Sequence, residues 1–179
     1  MQTNYLGPYL LTQKLLPLII SSGAPSKPSR IINVVSEAHY TCPPFDFEDI
    51  NNTSTLLHPS LQYPLSKFLW VVATMGLADQ LSDKNVVVHG VCPGITITEF
   101  WDKFPIWQKQ IPMTLRFLGI GKTVLEAAEI VLLPTVSDDA ELCTGVYWAN
   151  MDKYQAQERV YDKELQSSIM GKTNRLLGL

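Results

Sequence analysis

RIINVVS, residues 30–36, is a short unbroken run dominated by β-branched residues, and its reading decides the fold. A strand with one wet face alternates apolar and polar residues. A run apolar nearly throughout suits a strand covered on both faces, as in a parallel sheet. NVVVHGVCPG (residues 85–94) repeats the pattern and ends in a turn, and TGVYWAN (144–150) is a third strand. Helices separate these runs. Residues 4–21 place Leu6, Leu10, Leu11, Leu15, Leu18 and Ile19 at helical spacing, with Asn4 as an N-cap-like start. Residues 62–83 form a second helix whose centre, FLWVVATMGLA, is apolar almost all round and so needs cover on both sides. GKTVLEAAEIVLLPTV (121–136) is a third. The order helix–strand, three times over, predicts an α/β fold of parallel strands joined by crossover helices. Residues 37–61 read as a long polar loop, and the charged tail from Asp152 as partly helical.

Composition narrows the function classes. At 179 residues the chain is one domain with room for a sizeable core, and 46% hydrophobic against 17% charged residues make it globular. A net charge of −3 with no basic stripe argues against nucleic-acid binding. Cys42, Cys92 and Cys143 are far apart and show no metal-ligand spacing, which suits reduced thiols of an intracellular protein. His39, His58 and His89 are equally scattered, and each reads as structural or solvated. LLTQKLLPLII is interrupted by Gln13, Lys14 and Pro17, and no run approaches the roughly 18 apolar residues of a membrane span. The expectation is a soluble, cytoplasmic chain.

Parallel sheets bind ligands at the carboxyl ends of their strands. That rule points to Ser36 and to the Pro93–Gly94 turn. Between them, QYPLSKFLW (62–70) sets Tyr63 and Lys67 four apart, on one face of a helix. An ammonium beside a phenol stabilises the phenolate and lowers the tyrosine pKa from its usual value of about 10, which makes a general acid/base. Taken alone, the pair is a weak signal that suits a solvated helix face at least as well. The order serine, tyrosine–lysine, Pro–Gly turn is more specific.

In that order the chain resembles the short-chain dehydrogenases/reductases, especially their retinol-dehydrogenase-like branch. NYLGPYLLT is similar to the family's asparagine-bearing helix, RIINVVSEAH to its serine strand, YPLSK to its YxxSK motif, PGITIT to its PGxxxT turn and TGVYWAN to its last core strand. The resemblance covers essentially the whole chain. It implies a catalytic set of Asn4, Ser36, Tyr63 and Lys67. Tyr63 is the implied acid/base, Ser36 the holder of the substrate oxygen, and Lys67 the ligand of the nicotinamide ribose. The Asn4 backbone would hold a relay water. Pro93, Gly94 and Ile95 would flank the nicotinamide, and Thr98 its carboxamide or phosphate side. The implied reaction is hydride transfer between NAD or NADP and an alcohol or carbonyl. Residues 99–119 fall at the family's substrate lobe, where Phe100, Trp101, Phe104, Trp107, Met113 and Phe117 suit an apolar or aromatic substrate or, singly, a core or membrane-facing patch. The resemblance also implies a homodimer through helices 4–21 and 62–83.

One family feature is missing. A glycine-rich TGxxxGxG loop lets backbone approach the pyrophosphate at a helix N-terminus, and no stretch here matches it. GIGKT (119–123) is a decoy: Arg116 stands where a P-loop needs glycine, and Val124 where a Rossmann turn does. The residue that selects NAD or NADP is likewise absent. The expectation is the C-terminal part of a doubly wound Rossmann-type domain spanning residues 1–179, without the nucleotide-binding strands that come first in the family. Such a chain binds NAD(P) weakly or not at all and leaves the 31–35 strand with an exposed edge. The alternatives are a truncated, inactive paralogue that associates with a full-length relative, and an unrelated small α/β binding protein.

Overall fold

The computed structural model describes residues 1–51, 57–98, 114, 117 and 119–179. Three parallel strands, β1 (Ser29–Val34), β2 (Val86–Cys92) and β3 (Val146–Ala149), lie side by side in that order. Ile31 pairs with Val88, Val34 with Val91 and His89 with Val146. A short fourth strand, β4 (Asp152–Tyr154), folds back antiparallel on β3. Asn150 and Met151 make that reversal with φ of 46° and 67°. Positive φ at both central residues is the type I′ geometry that matches strand twist. The tail is therefore a hairpin first and a helix, α4 (Lys163–Leu177), only later.

All seven residues of β2 are buried, as the unbroken apolar run requires. Helix α2 (Pro59–Gln80) covers one face of the sheet and α3 (Val124–Val136) the other. Alternate residues of β2 serve the two layers. Val86, Val88 and Cys92 join the main core with Tyr5, Tyr9, Phe68, Leu69 and Ile169, whereas Val91 joins Ile130, Ala140 and Trp148 under α3. The sheet is thus doubly wound. β1 is its edge: no other strand pairs on its far side among the described residues, and Val34 stays exposed.

Phe68 to Ala78 of α2 are buried without exception, so the expectation of cover on both sides holds. Helix α4 packs behind α2, closely enough that a Cβ on Gly76 would come 2.3 Å from Met170 Sδ. Helix α1 (Gly7–Ser22) covers the core less fully, and Leu11, Leu15 and Leu18 face outward.

Several boundaries differ from the sequence reading. A π-helical turn, Gln2–Leu6, precedes α1, so Asn4 lies inside the turn and is not a cap. β1 stops at Val34, and Ser36 caps a 3₁₀ turn, Glu37–Thr41, in what the sequence offered as loop. Helix α2 starts at Pro59 behind a His58 cap, ahead of the start expected at residue 62, and ends at Gln80. Residues 99–113, which hold most of the expected substrate lobe, lie outside the described residues.

Candidate active site

Four segments meet at the carboxyl end of β1. Pairing continues past the strand, because the Val35 N–H donates to the Val91 carbonyl at 2.8 Å. The backbone then delivers Ser36 in an extended conformation, φ −157° and ψ 148°, at the head of the 3₁₀ turn. Its Oγ accepts from the Ala38 N–H at 3.2 Å, so the hydroxyl proton is free to point elsewhere.

Tyr63 and Lys67 come from the first turns of α2. The Lys67 Nζ donates to the Val34 carbonyl at 3.1 Å, two residues before Ser36, and sits 5.8 Å from the centroid of the Tyr63 ring. Burial holds the Lys67 ammonium below the usual lysine range, an effect opposed by Cys92 nearby. The Tyr63 side is open to solvent: the residue is 45% exposed, so its phenol is reachable.

Asn4 reaches the same helix. Its Nδ2 donates to Ser66 Oγ at 3.2 Å, and Ser66 donates in turn to the Tyr63 carbonyl at 2.8 Å. The buried Ser66 thus joins the π-helical turn to the tyrosine, a role the motif YPLSK shows only by holding a serine there. Single π-helical turns recur at functional sites. Asn33 on β1 adds a second tie, donating to Thr74 of α2 at 3.0 Å.

The Pro93–Gly94 turn leaves the end of β2. Gly94 has φ +79°, a left-handed conformation that selects glycine, and the Lys122 stem lies beside it. Lys122 is stitched to the turn: its N–H donates to the Ile95 carbonyl at 2.8 Å, and its carbonyl accepts from the Ile97 N–H at 2.9 Å. Ile95 and Thr98 are exposed beside it. GIGKT is no phosphate loop; Thr123 and Glu126 form a capping box that starts α3.

Sequence reasoning gave His39 no role. It is fully buried, with Nδ1 2.6 Å from the Ser36 carbonyl and Nε2 3.1 Å from the Gln157 backbone nitrogen. Cys42, Cys92 and Cys143 are free, and no group of three metal-ligating side chains occurs among the described residues. Nor is any helix among them long and apolar enough to cross a membrane.

This is a doubly wound Rossmann-type sheet with a serine, a tyrosine and a lysine at its carboxyl edge. No family model matches the chain. Polyprenol dehydrogenase of Homo sapiens is 28% identical over 178 residues, covering 98% of this chain and 53% of that protein. Retinol dehydrogenase 14 of Mus musculus is 30% identical over 177 residues, covering 98% and 51%. An uncharacterised protein from Mycobacterium paratuberculosis has a TM-score of 0.67 at 19% identity, covering 98% of this chain and 57% of that one. The 3-ketoacyl-(acyl-carrier-protein) reductase of Brucella melitensis, complexed with NADH, has a TM-score of 0.55 at 25% identity, covering 83% and 53%. The chain is a relative of the retinol and polyprenol dehydrogenases along nearly its whole length, and it spans about half the length of the curated relatives it matches.

Proposed function

We propose that this chain carries the proton-transfer centre of an NAD(P)-dependent oxidoreductase that interconverts an alcohol and a carbonyl on an apolar small molecule. The observation that carries the reading is Lys67, bonded to the end of β1 two residues before Ser36 and lying against the Tyr63 ring. Tyr63 gives its proton to the substrate oxygen in reduction and takes it back in oxidation. The Ser36 hydroxyl, oriented by the Ala38 N–H, donates to that oxygen and stabilises its developing charge. The Lys67 ammonium stabilises negative charge on the phenol oxygen, and a water on the Asn4 backbone relays the proton onward.

Bound NAD or NADP would supply or accept the hydride. Lys67 and Tyr63 would hold its ribose, with Pro93, Gly94, Ile95 and Thr98 at its nicotinamide. The pyrophosphate end has no glycine-rich loop in this sequence, so nucleotide affinity of the chain alone is weaker than low-micromolar. An apolar substrate agrees with the aromatic residues of 99–119 and with the names of the relatives.

The test is turnover of retinol or a polyprenol with the purified chain at saturating NAD or NADP. Tyr63→Phe should lower kcat by about 100-fold or more. Equal turnover in that variant refutes the assignment. A wild-type chain that binds the nucleotide and still never turns over sinks the enzyme reading. It favours instead an inactive paralogue working by association, for which the outward leucines of α1 speak. Co-purification with a full-length relative tests that second reading.

A further inference from the structure

We propose that His39 is a positioning residue: a neutral imidazole carrying its proton on Nδ1, it ties the Ser36 carbonyl to the segment 155–157 and thereby fixes where the Ser36 hydroxyl points. The tautomer follows from the two partners. A backbone N–H, that of Gln157, aims at Nε2, which must therefore accept; the carbonyl of Ser36 faces Nδ1, which must therefore donate. Neither partner can exchange roles with the other.

The ring is clamped as well as bonded. It lies between Tyr40 and Tyr147, with centroids 4.0 and 5.1 Å away. Tyr40 repeats the tie, its hydroxyl donating to the Gln155 carbonyl and its carbonyl accepting from Gln157 Nε2 at 3.4 Å. Ser36 is then held at three points: the preceding residue pairs to β2, its carbonyl takes two bonds from His39, and its Oγ takes one from Ala38. Loss of the imidazole leaves the Ser36 carbonyl with the His39 N–H alone and cuts the tie to Gln157, so the Ser36–Glu37 peptide loosens and the Ala38 N–H is less well aimed at Oγ. Burial disfavours the charged ring, and protonation at Nε2 would set two donors against each other. Glu37 brings a carboxylate from the same turn, while Tyr40, Tyr147 on β3, and Cys92 and Tyr161 beside them bring neutral groups.

The proposal rests on Ser36 holding the substrate oxygen, and its test has one arm free of that reading. In ¹⁵N spectra at neutral pH, His39 should show a protonated Nδ1 and an unprotonated Nε2. In His39→Phe, which keeps a ring between the tyrosines, hydrogen exchange at Ala38 should speed up by about tenfold or more. An Nε2–H tautomer, or Ala38 exchange within about twofold of wild type, overturns the clamp whether or not the chain turns over. His39→Asn guards against a Phe variant that fails to fold. Its amide keeps the Nδ1-like donor, so Ala38 protection should stay near wild type; protection lost as fully as in His39→Phe overturns the proposal. Where turnover is measurable, His39→Phe should lower kcat by about 10- to 100-fold with KM nearly unchanged, and His39→Asn should recover part of it. A change confined to KM overturns the positioning role.

Discussion

Thr74→Val isolates one hydrogen bond without opening a cavity, because valine matches threonine in shape. Thr74 Oγ1 accepts from Asn33 Nδ2 at 3.0 Å and donates to the Trp70 carbonyl at 2.7 Å, and both Thr74 and Asn33 are buried. Valine leaves the Asn33 amide facing a methyl group in the core. An orphaned buried donor costs about 1–3 kcal/mol, so the variant should lose about 2 kcal/mol. The Trp70 carbonyl loses little, since a helix carbonyl retains its backbone partner. The reverse change is not symmetric. Asn33→Val leaves the Thr74 hydroxyl with the Trp70 carbonyl as partner, so nothing buried is stranded, and the cost should stay below about 1 kcal/mol. The double variant should then match Asn33→Val and exceed Thr74→Val in stability, a coupling of about 2 kcal/mol. Urea unfolding reads this as midpoint shifts at constant m-value. Additive single-variant effects, or Thr74→Val within about 0.5 kcal/mol of wild type, would refute the reasoning.

Three further outcomes follow from other contacts. Burial lowers the pKa of both His39 and His89 below the unfolded value of about 6.5, so the unfolded chain binds more protons as pH falls. Their stabilisation is full above that value and is lost below it, by up to about 1.4 kcal/mol per pH unit for each; urea midpoints between neutral pH and pH ~5 measure it. Ser66→Ala breaks the link from Asn4 to the Tyr63 carbonyl and should cost about 1 kcal/mol while speeding amide exchange in the Gln2–Leu6 turn; exchange unchanged there rejects the link. Leu11→Glu with Leu18→Glu should turn any dimer built on α1 into monomer by sedimentation velocity, with little loss of fold because both side chains are exposed; a dimer that persists places the interface elsewhere.

What was legible in the sequence was whatever long apolar patterns carry. Continuous runs announced β1 and β2, and the greasy centre of α2 announced a helix covered all round. The ends of the strands pointed to Ser36 and Gly94, and four-residue helical spacing to Tyr63–Lys67. Short or polar elements escaped. β4 is three exposed residues with no buried face to show, and its turn uses Met151, a residue that seldom takes positive φ. Helix α2 starts behind His58, which is not among the usual cap residues. Asn4 looked like a cap because its side-chain partner, Ser66, is 62 residues away. The apolar stretch of α3 overstates its burial: Leu125, Leu132 and Val136 all face outward. Composition records how greasy a helix is and not which neighbours come to cover it.

Helix α2 is also a lever. Gly76 leaves room for Met170 of α4 to pack against it, and Tyr63 lies thirteen residues nearer the N-terminus of the helix. At 1.5 Å per residue that arm is about 20 Å long, so a tilt of about 3° about the Gly76 fulcrum swings the tyrosine by about 1 Å. Displacements of that size cost a positioned reaction about 100-fold. A bulkier side chain at position 76 or 170 that tilted the helix would thus reach a site it never touches.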